Sequence, residues 1–421
     1  MTDTVPGTTI SHPERRYDLD WLRVLAFGLL MLYHLGMLYV ASWDYHYKSQ
    51  YLSSSLEYLM LLSSPWRMLL IWLIAGFALG TVLKRLPGLR AYLQFAGKRT
   101  VLLLLPLMVG LWIIVPPQLY AEMVQKDGLS LSYWQFYLAF FELDHPLFAN
   151  YQRGVWPHVD VNHLWFLRSL WRFTLLAMLL APLLYLPGLN RLLTRLFTMP
   201  IGWFLVWVGA LLLLCRYQFS GDSIRDLQGL LFFLLGMALV SVPGFWQQLN
   251  ACRRPLGWFC LLNYLLLCLL YFQLQQPAQW PDYQQPMRFA LRLSFSLQGV
   301  AVVAWLLALA QHYLNRPHRY LNVANRAVFP CYLVHQTLLI VAALWLTPHA
   351  VGALAEASLI LVFTAAACAL LVWLGWRLPW CSALIGLNTG YPFSQRQRFC
   401  GYLLGALLVS PLALRLLASA I

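Results

Sequence analysis

Ionisable residues inside apolar segments are the first candidates for chemistry in this sequence. Residues 17–36 are almost entirely apolar, yet they include Asp20, Arg23 and His34. Ionisable groups inside a membrane helix are costly unless they face protein or water, so each is a candidate functional residue. Asp20 and Arg23 share a helix face and are expected to form a structural pair, and His34 follows on nearly the same face. His34 could act as a general base, or it could be a hydrogen-bonded residue of an ordinary anchor helix.

Three further basic residues occur in later apolar segments. Arg67 opens the second segment, His163 opens the fourth, and His335 lies inside the ninth. An arginine can hold a carboxylate or stabilise an oxyanion, and a histidine can move a proton. A structural alternative stays open for each, because arginines also snorkel to headgroups and buried histidines also serve as core residues. With His34, these residues are the candidate catalytic set.

Aromatic and cationic residues near the same segments are candidates for substrate binding. Trp165 and Arg168 follow His163, His349 follows the ninth segment, and Trp156 lies in the long link before the fourth. Aromatic faces suit the C–H surfaces of sugar rings, and arginines suit anionic groups. The aromatic residues could equally belong to an interfacial belt that contacts only lipid.

The elements that must position these residues are apolar helices. The chain of 421 residues is 61% hydrophobic and only 10% charged, whereas soluble domains carry about 25% charged residues. We therefore predict an all-α fold, a polytopic transmembrane helical bundle of about 10–11 spans with a central cavity. The apolar runs long enough to cross a bilayer are 19–40, 64–83, 99–118, 164–186, 199–217, 227–242, 256–274, 289–311, 327–346, 352–375 and 401–419.

Basic residues concentrate in alternate links between these runs, which predicts a cytoplasmic N-terminus. The formal net charge of +14 is attributed to those links, so nucleic acid is not an expected partner. The eight cysteines are scattered and no His-Glu-x-x-His motif occurs, so no metal site is expected. We divide the chain into a cytoplasmic tail (1–16), a transmembrane domain (17–375) and a C-terminal extension with an extra span (376–421).

These residues alone fit two classes of membrane protein. Histidines and arginines around a membrane cavity suit the transfer of a group from an anionic donor inside to a hydroxyl acceptor outside. They also suit a proton-coupled transporter or flippase of an envelope glycan precursor, in which His34 and His335 relay protons. A membrane scaffold for other envelope enzymes is a third alternative, in which no histidine inside the membrane matters.

Four segments of the sequence resemble the acyltransferase-3 family of membrane acyltransferases. The segments are 16–20 with Arg23 and His34, Arg67 with 74–77, 163–167, and 332–336 with 347–349. Within that family they are most similar to the glucans biosynthesis protein C branch, which transfers succinyl groups to periplasmic glucans. The resemblance implies that His34 is the catalytic histidine and that Arg67 contacts the substrate or the transition state.

The resemblance implies an acyl-CoA-dependent O-acyltransferase of the bacterial inner membrane. Its acyl group would be succinyl or acetyl, and its acceptor a periplasmic or cell-envelope glucan or another carbohydrate. No cofactor is expected to be tightly bound, since acyl-CoA is a donor substrate. The acyl-CoA, the carbohydrate and the lipid bilayer are the expected partners, and a homo-oligomer stays open.

The donor's phosphates are expected to meet basic residues on the cytoplasmic side. Members of the family often have an Arg-x-x-Arg pair at the start of the third span. Here Arg99 matches the first arginine, whereas Leu102 replaces the second, a loss for which Lys98 could compensate. The expected donor-binding residues are Arg85, Arg90, Lys98, Arg99 and Arg319.

Overall fold

The computed structural model describes residues 15–142, 145–149, 162–184, 186–276, 281–390 and 392–418. These residues form helices joined by turns and loops, with one isolated bridge between Val40 and Ser53 and no strand in the described ranges. The predicted all-α fold is therefore confirmed. Most of the predicted tail 1–16 lies outside the described residues.

The α-helices of the described ranges are numbered here in chain order. They are α1 (Tyr17–Met37), α2 (Ser55–Leu61), α3 (Arg67–Leu83), α4 (Gly88–Val109), α5 (Val115–Lys126), α6 (Tyr133–Phe140), α7 (Trp165–Leu184), α8 (Pro187–Thr198), α9 (Ile201–Gln218), α10 (Asp222–Leu239), α11 (Pro243–Ala251), α12 (Arg253–Leu274), α13 (Gln284–Tyr313), α14 (Leu321–Leu346), α15 (Ala353–Arg377), α16 (Pro379–Ser382) and α17 (Gln395–Ala418). A π-helical turn, Gly110–Ile114, joins α4 to α5.

Eight helical segments of the described chain are long and apolar enough to cross a membrane. A ninth is present if α10 and α11, which are bent by 104° relative to each other, form one span. Each predicted apolar run lies on a helix, but run 64–83 corresponds to α3, a shorter helix of 17 residues. The described residues therefore contain eight or nine candidate spans, and the sequence predicted about 10–11 for the whole chain.

The third predicted span differs most from its helix. The helical segment Gly88–Lys126 begins eleven residues before the predicted start at 99 and continues eight residues beyond the predicted end at 118. Polar first turns continue a helix outside the hydrocarbon, where an apolarity criterion no longer detects them. As a consequence, Arg90, Lys98 and Arg99 lie on α4 and not in a link.

The closest helix contact of the bundle joins α3 to α10 through glycines. A Cβ atom placed on Gly76 would overlap the backbone carbonyl of Phe233, and one on Gly236 would overlap the carbonyl of Leu73. Small residues let membrane helices approach until their backbones touch, which increases their dispersion contacts. This contact holds α3, and with it Arg67 at its first position, against the centre of the bundle.

Helix α1 is central because it packs against α3, α13, α14 and α15. One face buries Leu19, Leu22, Ala26 and Leu30, which recur at intervals of three or four residues as helix geometry requires. The same helix carries His34 in its last turn. The residue singled out by its spacing therefore lies on a helix with several packing partners.

We expect Gly76→Ala to destabilise the protein by about 2–3 kcal/mol, because the added methyl group must displace the backbone of α10. The measurement is the thermal unfolding midpoint of the purified protein in detergent. Gly28→Ala is the matched control, since no atom lies within 4 Å of its added Cβ and alanine favours helix by about 0.5–1 kcal/mol. Equal midpoints for the two variants would contradict the close contact.

Candidate functional site

Three histidines from different parts of the chain meet inside the bundle. The ring centre of His335 lies 5.3 Å from that of His34 and 5.8 Å from that of His163. The three rings come from α14, α1 and the turn before α7, respectively. The structure thus brings together all three histidines that the sequence proposed as catalytic.

The ring nitrogens of His163 are both used in hydrogen bonds inside the protein. Thr337 donates its hydroxyl proton to the carbonyl of Ile114 (2.8 Å), so Thr337 must accept the hydrogen bond that joins it to Gln118. Gln118 is therefore the donor, through Nε2, and the same group donates to Nδ1 of His163 (3.1 Å). The Nε2–H of His163 then donates to the carbonyl of Leu333 (3.0 Å). With neither nitrogen free for a substrate, His163 has the bonding pattern of a structural residue.

His335 has the opposite arrangement. Its Nδ1–H donates to the carbonyl of Tyr332 (2.8 Å), which fixes the tautomer and leaves a lone pair on Nε2. That Nε2 atom is buried and has no hydrogen-bond partner among the described residues, and the side chain is 0% exposed. An unsatisfied buried acceptor next to a second histidine is what a proton-transfer site requires.

His34 is partly buried and lies next to a loop formed by residues 38–53. The hydroxyl of Tyr45 in this loop lies 3.4 Å from Nδ1 of His34, and the two rings stack at 6.1 Å. Lys48 holds the loop against the end of α1 by donating to the carbonyls of Met37 (2.9 Å) and Val40 (2.7 Å). The loop therefore contacts His34, which also faces His335.

Arg67 supplies a buried positive charge beside this pair. Its guanidinium carbon lies 3.2 Å from the ring centre of Tyr33, the residue before His34, and its charge interacts with His34. The Nε and Nη1 donors of Arg67 are buried and have no hydrogen-bond partner in the described chain. Donors held this way can bind an anionic group or a developing oxyanion.

A cavity of about 540 Å³ approaches the histidines from the other end of the bundle. It reaches Leu30, one helical turn before His34, and Tyr332, one turn before His335. Near this inner end the walls are apolar, and the lining residues there include Phe27, Leu30, Met68, Ile71 and Phe166.

The other end of the cavity is polar and carries a net positive charge. Its polar lining residues are Arg15, Asp20, Arg23, Arg99, Asn322, Asn325, Arg326 and Asn388. Asp20 pairs with Arg15 (2.7 Å). The sequence predicted a pair with Arg23, but Arg15 lies just before α1 and its long side chain reaches the first turn of the helix. Arg23 instead lies within electrostatic range of both Asp20 and Arg99. Arg23 and Leu102 both line this cavity.

The predicted donor-binding residues divide into two groups. Arg99 lines the cavity, whereas Arg85, Arg90, Lys98 and Arg319 are exposed and do not. Counting basic residues in links cannot reveal which of them turn inward. The lining residues that sequence reasoning missed include Asn322, Asn325 and Arg326, whose spacing of three and four residues on α14 was an available signal of one shared face.

None of the predicted substrate-binding residues that the structure describes lines the cavity. Trp165 packs on the guanidinium of Arg225 (4.0 Å), and Arg168 lies one turn further along α7, partly buried. His349 is exposed beside Trp345, so the structure separates it from the other three histidines. Trp156 lies outside the described residues.

Glu57 fastens the loop over His34 to α12. Its carboxylate accepts hydrogen bonds from the backbone N–H (3.0 Å) and hydroxyl (2.6 Å) of Ser42, the hydroxyl of Tyr271 (2.7 Å) and the amide of Gln275 (3.1 Å). Burial acts to raise the pKa of Glu57, but these hydrogen bonds outweigh burial and lower the pKa below its ordinary value of 4.5. The ionised form therefore stabilises the loop.

Comparison with known proteins yields one family. The acyltransferase domain of the acyltransferase 3 family matches residues 16–377, which is most of the chain. The matched range contains the three histidines, Arg67 and every cavity residue except Arg15, Gly386 and Asn388. No curated protein and no solved structure matches the chain.

We expect the contribution of Glu57 to stability to depend on pH. Because its folded-state pKa is lowered, the contribution is complete above the ordinary pKa of 4.5 and is lost as the pH falls through the folded-state value. Thermal unfolding midpoints measured from neutral pH to about pH 3 should fall more steeply for the native protein than for Glu57→Gln. Parallel curves of unfolding midpoint against pH would show that the carboxylate is not held as described. Asp282→Asn serves as the control, because Asp282 is exposed.

Proposed function

Because this chain belongs to the acyltransferase 3 family, we propose that it is a membrane O-acyltransferase that uses acyl-CoA as donor and a carbohydrate hydroxyl as acceptor. The observation that carries this proposal is the pairing of His34 with His335 beyond the apolar end of a cavity whose other end is cationic. The Nε2 atom of His335 is buried and has no hydrogen-bond partner among the residues that the structure describes. A long donor with a phosphate end and a thioester end matches such a cavity in both charge and polarity.

In the proposed reaction, His34 acts as the general base. It removes the proton of the sugar hydroxyl while the oxygen attacks the thioester carbonyl, so that a C–O bond forms and a tetrahedral oxyanion appears. Collapse of this intermediate breaks the C–S bond, and the imidazolium of His34 returns the proton to the departing sulfur. His335 acts as a positioning residue, because its free Nε2 can accept the N–H of the His34 imidazolium.

Arg67 is assigned to the charge that develops on the acyl group. Its two unpartnered donors could stabilise the oxyanion, or they could bind the free carboxylate if the acyl group is succinyl. A succinyl or acetyl donor and a periplasmic glucan acceptor are supported by the resemblance of the sequence to the glucan-modifying branch of the family. The cationic cavity mouth supports a cytoplasmic N-terminus in a bacterial inner membrane, with the acceptor on the opposite side.

Mass analysis of a β-glucan incubated with the purified protein tests the function. Succinyl-CoA and acetyl-CoA are supplied separately, and we expect one of them to add its acyl mass to the glucan. His34→Ala should lower the rate by about 10²–10⁴, the usual contribution of a general base. His349→Ala is the matched control and should leave the rate unchanged, since His349 is exposed beside Trp345. If the native protein is shown to be folded and consumes neither thioester, the proposed acyltransferase activity is disproved.

Substitution of Arg67 tests its role separately. Arg67→Lys keeps the charge but loses the planar array of donors, so we expect kcat to fall by about 10², as when an oxyanion donor is removed. Arg319→Lys is the control, because Arg319 is exposed and outside the cavity. An unchanged kcat with a raised KM would show that Arg67 only binds substrate.

A further inference from the structure

One wall of the cavity comes from residues beyond the family match, which ends at 377. Gly386 and Asn388 both line the cavity. They follow α16 and a short turn, Ala383–Ile385, which packs against α4 and α14. The C-terminal extension, to which the sequence assigned only an extra span, therefore contributes directly to the cavity.

Local hydrogen bonds and packing hold this wall in place. Ser382 donates to the carbonyl of Pro379 (2.6 Å), and its own carbonyl accepts from the N–H of Leu387 (2.9 Å). Gly386 has a φ of +68°, and a Cβ atom there would overlap the ring of Phe329, another lining residue. Glycine thus permits both the backbone turn and its close approach to α14. The wall is an ordered part of the cavity.

Three asparagines on this wall and on α14 share one chemical property. Asn322 and Asn325 lie on α14, and Asn388 faces the cavity from the extension. Both polar atoms of the Asn325 side chain are buried and have no hydrogen-bond partner in the described chain. Leaving such groups unpaired is costly, so a buried amide aimed at a cavity indicates a ligand that pairs with it.

Asn388 offers a complementary donor. Its Oδ1 accepts from the N–H of Gly390 (3.1 Å), which orients the side chain and leaves the Nδ2 group available to a ligand. Arginines donate hydrogen bonds but cannot accept them, whereas a carboxamide does both. A group of carboxamides beside arginines therefore suits a ligand that carries neutral amides next to phosphates.

We propose that Asn322, Asn325 and Asn388 form a subsite for the amide-bearing pantetheine arm of the acyl donor. The subsite lies in the same cavity as the cationic residues that would hold the phosphates and the apolar walls that lead toward the histidines. The pantetheine arm contains two secondary amides, each with one donor and one acceptor, which carboxamides can pair. This proposal rests on the proposed acyl-CoA donor, and it makes the C-terminal extension part of the donor site.

Isothermal titration of the full-length protein in detergent with two probes tests the subsite. The first probe is coenzyme A, and the second is adenosine 3′,5′-bisphosphate, which has the adenine and two of the three phosphates but no pantetheine. Asn388→Ala should weaken the binding of coenzyme A by about three- to tenfold, the value of one hydrogen bond, and should not change the binding of the bisphosphate. Arg99→Ala should weaken both.

Two further variants separate binding from folding. Asn325→Ala should weaken coenzyme A binding without lowering the unfolding midpoint, because the amide it removes has no hydrogen-bond partner in the described part of the chain. Asn190→Ala, in α8 and outside the cavity, should change neither. If Asn388→Ala weakens the binding of both probes equally, the asparagines contact the adenine and the proposal is overturned. Unchanged affinity for coenzyme A would also overturn it. If the native protein binds no coenzyme A, the proposed donor fails together with the subsite.

Discussion

The hydrogen bonds of Gln118 determine how the central helices of the bundle meet. Gln118 donates to Thr337 and His163, accepts from Gln336 (3.1 Å), and thereby joins α5, α14 and the turn before α7. Inside a membrane protein no water replaces a lost partner, so each of these polar groups must find another within the bundle. This requirement fixes the axial position of α14 relative to α5. As a result, His335 on α14 lies beside His34.

The arrangement separates binding from chemistry along one axis. The cationic and amide groups lie at one end of the cavity, the apolar walls follow, and the histidines lie one helical turn beyond the apolar residues Leu30 and Tyr332. A charged donor end could not enter the apolar region without losing its hydration, so the polarity of the walls alone sets which end of a donor advances. The loop fastened by Glu57 and Lys48 contacts His34 through Tyr45.

The sequence was sufficient to find the residues whose type is rare in apolar helices. His34, Arg67 and His335 stood out in this way, and they lie together in the structure. The role of His163 could not be read from the sequence, because it depends on Gln118, which lies 45 residues away, and on the donor and acceptor pattern of Thr337. The basic residues that line the cavity could not be predicted for a similar reason. The exposed Arg90 and the cavity-lining Arg99 lie on the same helix and differ only in the face they occupy.

The π-helical turn Gly110–Ile114 has a consequence for the phase of the helix that follows it. A π turn holds one residue more than an α turn, so deleting a single residue there would return the segment to regular α-helix. The turn absorbs that extra residue locally, so the helices on either side keep the angular phase of an uninterrupted α-helix. A deletion within the regular part of α4 would instead rotate every later side chain by about 100° around the helix axis. Gln118 would then leave the face that it shares with Thr337 and His163. The π turn in this helix of 39 residues is therefore the place where the chain accommodates one residue without changing the angular register of its polar centre.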